Sequence, residues 1–256
     1  MRPNPVKAKL ARGETAFGTM ILDLHGPGLA RIFENAGAEF IMLDMEAACW
    51  DISTIKDQIA MCRGLDIVPF VNAASQDAVM LLQPLDCGAM GLMVPVVETG
   101  AQAEQIARVT HYPPHGARGV AFGIAHDDYS LGGIEERIAA ADERTMIIAK
   151  VETATGVQNI DEILAVDGID AAFVGHMDLS VSLGVPGDYE HPRFVEAVET
   201  VIAACKRHDK PGVCLVATPE AAKLWMARGF RMVMYSTETM LLAAAYRSGL
   251  EAIKAG

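Results

Sequence analysis

The feature that most constrains the fold of this chain is a regular alternation between two kinds of segment. Short apolar runs, rich in Val, Ile, Met and Phe, are separated by stretches such as Arg193–His208, in which apolar residues recur three and four positions apart. The first pattern is typical of strands buried on both faces of a parallel sheet, and the second of amphipathic helices. The eight strand-like runs are Ala16–Ile21, Glu39–Met45, Ile67–Asn72, Gly91–Val97, Met146–Glu152, Ala171–Gly175, Val213–Ala217 and Met232–Ser236.

Residues that begin and end helices fall between these runs. Thr99 and Gln102 have the spacing of a capping box, and Thr218 precedes a proline suited to a first helical turn. Glycines stand where helix-like stretches end, at Gly37, Gly88, Gly168 and Gly229. No low-complexity linker divides the chain, so we expect one domain over residues 1–256. Eight strand–helix units predict a (β/α)8 barrel, which takes about 250 residues. A doubly wound sheet is the alternative, but no early G-x-G-x-x-G motif supports it.

Composition and charge narrow the classes of function. Apolar residues make up 51% of the chain, which is enough for a large core and excludes a disordered protein. The net charge of −12, without a Lys/Arg run, disfavours nucleic-acid binding. The longest apolar run, Gly88–Val97, is too short to span a bilayer, and the N-terminal residues lack the apolar stretch of a signal peptide. We therefore expect no membrane contact, a cytoplasmic location, and five reduced cysteines, Cys49 among them.

Polar residues follow several of the strand-like runs. In a (β/α)8 barrel the carboxyl ends of all strands open on one mouth, where active sites lie. Carboxylates that meet there need a cation or a shifted pKa, and oxygen ligands favour a hard ion such as Mg²⁺ or Mn²⁺. Helix caps and salt bridges are the alternative explanation. The polar strand ends are Asp44–Glu46, Asn72, Glu98, Lys150–Glu152, His176–Asp178 and Ser236–Glu238.

Several stretches carry a resemblance to a known family. They are Leu43–Glu46, Gly88–Pro95, Tyr112–Pro114, Arg118–Gly119, Ala121–Tyr129, Val151–Thr153 and Val174–Leu179. Together they resemble the HpcH/HpaI aldolases, which are class II pyruvate aldolases of the 4-hydroxy-2-oxoheptane-1,7-dioate aldolase type, over nearly the whole chain. The resemblance implies a (β/α)8 barrel that cleaves a 2-oxo acid reversibly, releasing pyruvate or a similar 2-oxo acid and an aldehyde. It also implies a hexamer built from dimers that exchange their last helix.

The resemblance also assigns roles to individual residues. Glu152 and Asp178 fall on the two carboxylates that hold the divalent ion, which would be Mg²⁺ or Mn²⁺, with Co²⁺ as a further choice. Such an ion acts as a Lewis acid toward the enolate formed on carbon–carbon cleavage. The backbone N–H groups around Gly175, His176 and Met177 would bind the substrate carboxylate.

Two further carboxylates match family positions. Asp44 and Asp86 fall where the family supports the base and the metal-bound water. We expect these two carboxylates and Lys150 to shape the acid–base chemistry of the site.

Three positions depart from the family pattern. The usual His after D-x-E is Ala47, the usual Arg at the end of the third strand is Asn72, and the usual Gln two residues before the metal Glu is Lys150. Alanine moves no proton, and general acid–base help is worth about 10²–10⁴-fold in rate. Loss of an electrostatic donor such as Arg costs a similar factor. The ordinary family mechanism is therefore in question here.

Lys150 is the most informative of these departures. Because side chains alternate along a strand, Lys150 and Glu152 should share the interior face of the barrel. Lys150 then has three interpretations. It restores the cation lost at Asn72, or it forms a salt bridge to Glu152 or Asp178 that replaces the metal, or it acts as a Schiff-base nucleophile, which needs a depressed pKa.

These observations lead to one principal function and two alternatives. The principal hypothesis is a metal-dependent lyase that acts through an enolate next to a 2-oxo acid, with Asn72 in place of the usual oxyanion donor. Decarboxylation of a 2-oxo acid on the same site is the first alternative, because loss of CO₂ forms the enolate without a strong base. The second is a catalytically impaired barrel that only binds a 2-oxo acid.

Overall fold

The computed structural model describes residues 1–48 and 50–255, so Cys49 and Gly256 lie outside the described residues. Eight parallel strands form one closed barrel in sequence order, and the last strand pairs with the first. The prediction of a (β/α)8 barrel is therefore confirmed. The strands are β1 (Ala16–Ile21), β2 (Phe40–Asp44), β3 (Val68–Asn72), β4 (Gly91–Val94), β5 (Met146–Val151), β6 (Ala171–Val174), β7 (Gly212–Val216) and β8 (Phe230–Thr237).

Helices connect the strands and surround the barrel. They are α1 (Pro5–Ala11), α2 (Leu29–Asn35), α3 (Ile52–Met61), α4 (Ala78–Asp86), α5 (Gly100–Thr110), α6 (Ile134–Arg144), α7 (Ala154–Gln158), α8 (Ile160–Leu164), α9 (His176–Ser182), α10 (Pro192–Arg207), α11 (Pro219–Arg228) and α12 (Glu238–Ala255), with a 3₁₀ turn at Ala125–Asp127. The capping box of Thr99 and Gln102 is present at the start of α5. Thr218 accepts the Ala221 N–H at the start of α11, and Gly229 ends that helix in the left-handed conformation.

The fourth strand ends three residues earlier than its apolar run suggested. Pro95 has no N–H to donate to a neighbouring strand, and Val96 adopts a φ of +53° that breaks the extended backbone. The Gln76 side-chain amide donates hydrogen bonds to the carbonyl oxygens of both residues, at 2.8 and 2.7 Å. This segment is therefore a fixed bend at the mouth rather than a continuation of the strand.

The core has two layers, because alternate residues of each strand face opposite sides of the barrel wall. One cluster of buried side chains fills the barrel interior and includes Phe40, Phe70 and Ile148. The other lies between the strands and the helices and includes Ile147 and Val151. Residue 150 follows the interior parity of Ile148, and its side chain contacts Glu152 as the alternation predicted.

The final helix α12 buries little of its surface against the barrel. Among its described residues only Glu238, at its first position, is buried. The Glu238 carboxylate accepts N–H groups from Leu22, Asp23 and Leu24 and so ties the end of β1 to the start of the helix. Among the described helices, none combines the length and the apolar character needed to cross a membrane.

Candidate active site

Buried polar side chains from β2, β3 and β5 meet at the mouth of the barrel. Asp44 and Asn72 are the last residues of adjacent strands and lie opposite each other in the parallel register. Glu152 follows the last residue of β5, and all three side chains are almost fully buried. Closure of the barrel thus gathers into one cluster residues that lie far apart in the sequence.

The second and third strand ends are joined by hydrogen bonds. The Asn72 side-chain amide donates to Asp44 Oδ1 at 2.8 Å and to Glu46 Oε2 at 2.9 Å. Asp44 also accepts the backbone N–H groups of Glu46 and Ala47, at 2.9 and 3.3 Å. Asp44 therefore fixes the turn after β2, and this turn carries the Glu46 side chain into the cluster.

Lys150 links the β2 turn to β5. Its ammonium lies 2.7 Å from Glu46 Oε2 and 2.8 Å from Glu152 Oε2. Burial by itself lowers the pKa of Lys150, but the contacts of the ammonium with Glu152 and Glu46 outweigh it and raise the pKa above its usual value. Lys150 is therefore a charged ammonium held between two carboxylates, which disfavours its interpretation as a Schiff-base nucleophile.

Glu152 is fixed from several sides. Its Oε1 accepts the N–H of Val96 at 2.8 Å from the bend after β4. Its Oε2 is fully buried and accepts no hydrogen bond of regular geometry, although Lys150 lies close by. Burial raises the pKa of Glu152, and the neighbouring ammonium only partly offsets that effect. Oε2 is therefore the oxygen of this carboxylate that faces a cation, which in this structure is the Lys150 ammonium.

The start of α9 lies against this carboxylate. A Cβ atom at Gly175 would approach Glu152 Cβ to 2.7 Å and Oε2 to 2.9 Å, so only glycine leaves room for Glu152 here. Gly175 donates its own N–H to the Val151 carbonyl, so the N–H groups free to bind a ligand begin at His176. A cavity of about 120 Å³ brings Lys150 together with Gly175–Asp178, and its remaining lining residues are Met20, Met93, Phe173 and Leu215.

The donor set can be tested against a divalent ion. Glu152 supplies the buried oxygen described above, and Asp178 lines the cavity as an exposed residue of the first turn of α9. Both are the oxygen donors that a hard cation prefers. Over the part of the chain that the structure describes, no cluster of three or more His, Cys, Asp or Glu is arranged to hold a metal. These oxygen donors therefore fit a hard divalent ion, but the Lys150 ammonium contacts the same Glu152 oxygen.

Comparisons with known proteins decide the family. The sequence model of the HpcH/HpaI aldolase/citrate lyase family matches residues 19–245. The chain belongs to this family. It is 33% identical to the 2-keto-3-deoxy-L-rhamnonate aldolase of Shigella sonnei over 253 residues, which are 99% of this chain and 94% of that protein. The Escherichia coli K12 protein of the same name is 32% identical over the same shares.

Solved structures of the family agree closely with this barrel. The HpcH/HpaI aldolase from Desulfitobacterium hafniense DCB-2 superposes with a TM-score of 0.92 at 30% identity, covering 97% of this chain and 96% of that one. An HpcH/HpaI aldolase/citrate lyase family protein from Burkholderia cenocepacia J2315 gives 0.91 at 29% identity, covering 98% and 99%. Membership of the HpcH/HpaI family confirms the expected enzyme class, a carbon–carbon lyase of the class II aldolase type, and aldolases of this class depend on a divalent metal ion.

Of the residues predicted for the HpcH/HpaI site, Asp86 stands apart from the cluster within one chain, and His176 is placed by the packing of its ring. Asp86 ends α4, the helix that leads into the start of β4, so it lies toward the end of the barrel opposite the mouth. Its carboxylate pairs with Arg118 at 2.7 Å. His176 lines the cavity, but its ring packs edge-on against Tyr189 and Trp225, and burial lowers its pKa. His176 therefore has the surroundings of a packing residue.

The segment Ala121–Tyr129, which resembles the family, is a loop held in place by buried side chains. His126 is buried, its Nε2 lies 3.0 Å from the Tyr112 hydroxyl, and burial lowers its pKa to about 3. Asp127 is fully buried and accepts hydrogen bonds from the N–H groups of Gly123 and Ile124 and from Arg137. These contacts hold the loop between α5 and α6.

Sequence reasoning missed the central residue of the cluster. Glu46 contacts both Asn72 and Lys150, yet it was recognised only as part of a polar strand end. The sequence did contain a signal for Glu46. The family Arg is lost at position 72 and a cation is gained at position 150, which indicates that both positions lie near the same anionic side chain. The Val96 N–H was also missed, because a left-handed valine after a proline leaves no mark in the sequence.

Proposed function

We propose that this protein is an aldolase that breaks or forms the carbon–carbon bond next to a 2-oxo acid, with pyruvate or a similar acid and an aldehyde as its small-molecule partners. The main observation in support of this proposal is the fixed Glu152 carboxylate, which lies against Gly175 beside a small cavity at the mouth of the barrel. A cavity of about 120 Å³ suits a small acid rather than a large cofactor.

Glu152 and Asp178 are the residues that would hold the divalent ion, for which we propose Mg²⁺ or Mn²⁺, with Co²⁺ as a further choice. When bound, such an ion supplies Lewis-acid stabilisation of the negative charge that develops on the 2-oxo acid. The hydrogen bond from Val96 and the contact with Gly175 keep Glu152 in place for this role.

The chain's own groups bind and orient the acid. Gly175 lets the backbone approach closely, and the N–H groups of His176 and Met177, which have no partner within the first turn of α9, would bind the substrate carboxylate. Lys150 supplies positive charge in the same cavity. Asn72 gives a neutral amide donor in place of the family Arg. The Asp44 carboxylate holds the β2 turn by accepting the backbone N–H groups of Glu46 and Ala47.

Proton exchange on pyruvate tests this proposal directly. Proton NMR of pyruvate in D₂O, with Mg²⁺ or Mn²⁺ and with EDTA as control, should show a metal-dependent loss of the methyl signal. Glu152→Gln should slow this exchange by about 100-fold or more. Glu162→Gln, the same change at an exposed site on α8, should leave it unaltered. No exchange above background, and no cleavage of a panel of 4-hydroxy-2-oxo acids, would overturn the proposal and leave a binding role.

Decarboxylation of a 2-oxo acid such as oxaloacetate is the second candidate. One observation favours it: Ala47 stands where the family carries its proton-moving His, and loss of CO₂ generates the enolate without a base. The measurement is CO₂ release from oxaloacetate compared with aldol cleavage under the same conditions. Rapid aldol cleavage without CO₂ release would exclude this candidate.

We also propose that the single domain, residues 1–256, assembles into a hexamer built from dimers that exchange α12. This proposal rests on the exposed apolar side chains of that helix, which are Met240, Leu242, Tyr246 and Ile253. Light scattering coupled to size exclusion should give six times the chain mass. A monomer at micromolar concentration would contradict it.

A further inference from the structure

The inference concerns Lys150, the residue that lies between two buried carboxylates, and it rests on the proposed metal-dependent function. We infer that the Lys150 ammonium is a built-in counter-ion that competes with the divalent ion for Glu152, and that Glu46 keeps the ammonium when the ion binds. The three residues Glu46, Lys150 and Glu152 are called the β2–β5 bridge below.

The first step of the argument is the position of the ammonium. Lys150 Nζ lies 2.8 Å from Glu152 Oε2, which is the one oxygen of that carboxylate without a regular hydrogen bond. Glu152 Oε1 is already taken by the Val96 N–H. Oε2 is therefore the oxygen with more unused acceptor capacity, and a cation that binds it meets the ammonium.

The second step is the charge. An ammonium and a divalent ion beside one buried oxygen repel each other strongly, because water screens charges poorly there. A buried carboxylate without a partner is also costly, so an ammonium next to Glu152 is favourable while no metal is bound. The two cations therefore bind Glu152 alternately.

The third step is the alternative partner. Glu46 Oε2 lies 2.7 Å from the Lys150 ammonium and comes from a different strand end. The Asn72 amide donates to the same Glu46 oxygen and holds it in place at 2.9 Å. Lys150 can release Glu152 and stay paired with Glu46, so the ion can enter without leaving an unpaired ammonium. Separating the ammonium from Glu152 still costs free energy. The metal affinity is therefore lower than the same carboxylates would give without the lysine.

Metal titration tests this competition without any measurement of turnover. Mn²⁺ binding to wild type, Lys150→Met, Lys150→Gln and Lys150→Arg is measured by isothermal titration calorimetry. We expect the two neutral variants to bind Mn²⁺ roughly 10–100-fold more tightly, a range typical of residues beside metal ligands. Lys150→Arg should stay near wild type because it keeps the charge. Lys223→Met, an equal change of net charge on the exposed face of α11, is the matched control and should not change the affinity.

A double-mutant cycle tests the role of Glu46. Glu46→Gln should weaken Mn²⁺ binding several-fold in the wild-type background, since the ammonium then has only Glu152 as partner. In the Lys150→Met background the same change should weaken binding much less. Equal effects in both backgrounds would overturn the role assigned to Glu46.

Failure of the inference and failure of the proposed function are distinguishable. If the neutral variants bind Mn²⁺ no more tightly than wild type, or if none binds it, the competition is refuted. If they bind more tightly but no variant exchanges the methyl protons of pyruvate, the inference stands and the proposed aldolase function fails. Lys150→Gln keeps a polar donor in the bridge, so a folded variant is available if Lys150→Met is unstable.

Discussion

Gly175→Ala is the sharpest test of how the mouth of this barrel is built. The added Cβ would lie 2.7 Å from Glu152 Cβ, 2.9 Å from Glu152 Oε2 and 3.5 Å from Lys150 Cε. The first separation falls at least about 0.8 Å short of an ordinary carbon–carbon contact. Glu152 cannot yield through its far end alone, because the shortest contact is with its own Cβ. The β6–α9 junction must therefore move away from β5.

The size of the effect follows from this overlap. Inserting one methyl group into a packed site costs about 1–3 kcal/mol, and we take about 2 kcal/mol for a clash close to the backbone. In a protein of this length each kcal/mol lowers the melting temperature by about 2–4 °C, so we expect a drop of about 4–8 °C. Mn²⁺ affinity should fall with it, since the displaced carboxylate is a proposed ligand.

Thermal unfolding followed by circular dichroism, at one fixed protein concentration, measures this drop. Gly119→Ala is the matched control, because its added Cβ meets nothing within 4 Å and Gly119 has no positive φ. That variant should melt within about 1 °C of wild type. If Gly175→Ala also melts with wild type and binds Mn²⁺ equally well, Glu152 is not held against the β6–α9 junction and the site geometry described above is wrong.

Three further predictions concern other contacts. Asn72→Ala removes the donor to Asp44 and Glu46, so we expect a loss of about 2–3 kcal/mol in the free energy of unfolding and slower pyruvate exchange. Glu238→Ala leaves three backbone N–H groups after β1 without their acceptor, and the melting temperature should fall by about 4 °C or more. Burial lowers the pKa of His126 to about 3 in the folded protein, against about 6.5 in the unfolded chain. Between these values the unfolded chain carries more protons, so stability falls as the pH falls, by up to about 1.4 kcal/mol per pH unit, and His126→Gln should flatten this slope in melts from pH 7 to 4.

Each of these predictions has a contrary result. Unchanged stability of Asn72→Ala would mean that the hydrogen bonds between the second and third strand ends contribute nothing. A Glu238→Ala protein that melts with wild type would show that water replaces the carboxylate at the end of β1. A pH slope that is the same with and without His126 would show that this histidine takes up its proton in the folded protein.

Local periodicity in the sequence was enough to predict the strands and helices of the barrel. Strands with apolar residues throughout and helices with a 3.6-residue repeat reveal themselves within a few residues, so the eight strand–helix units of the barrel were predictable. The period of two along β5 likewise brought Lys150 and Glu152 to one face. The end of β4 was missed, because Pro95 and the left-handed Val96 break the strand within an apolar run.

The contacts within the site were decided by tertiary structure. Lys150 and Glu46 are separated by 104 residues, and only closure of the barrel brings them to 2.7 Å. The same closure puts Asn72 between Asp44 and Glu46, whereas Asp86 is carried by α4 toward the opposite end. The sequence could name a lysine beside a metal carboxylate, but it left three interpretations open. The carboxylates that the Lys150 ammonium contacts depend on the distances between the strand ends in the closed barrel. Local sequence does not encode those distances.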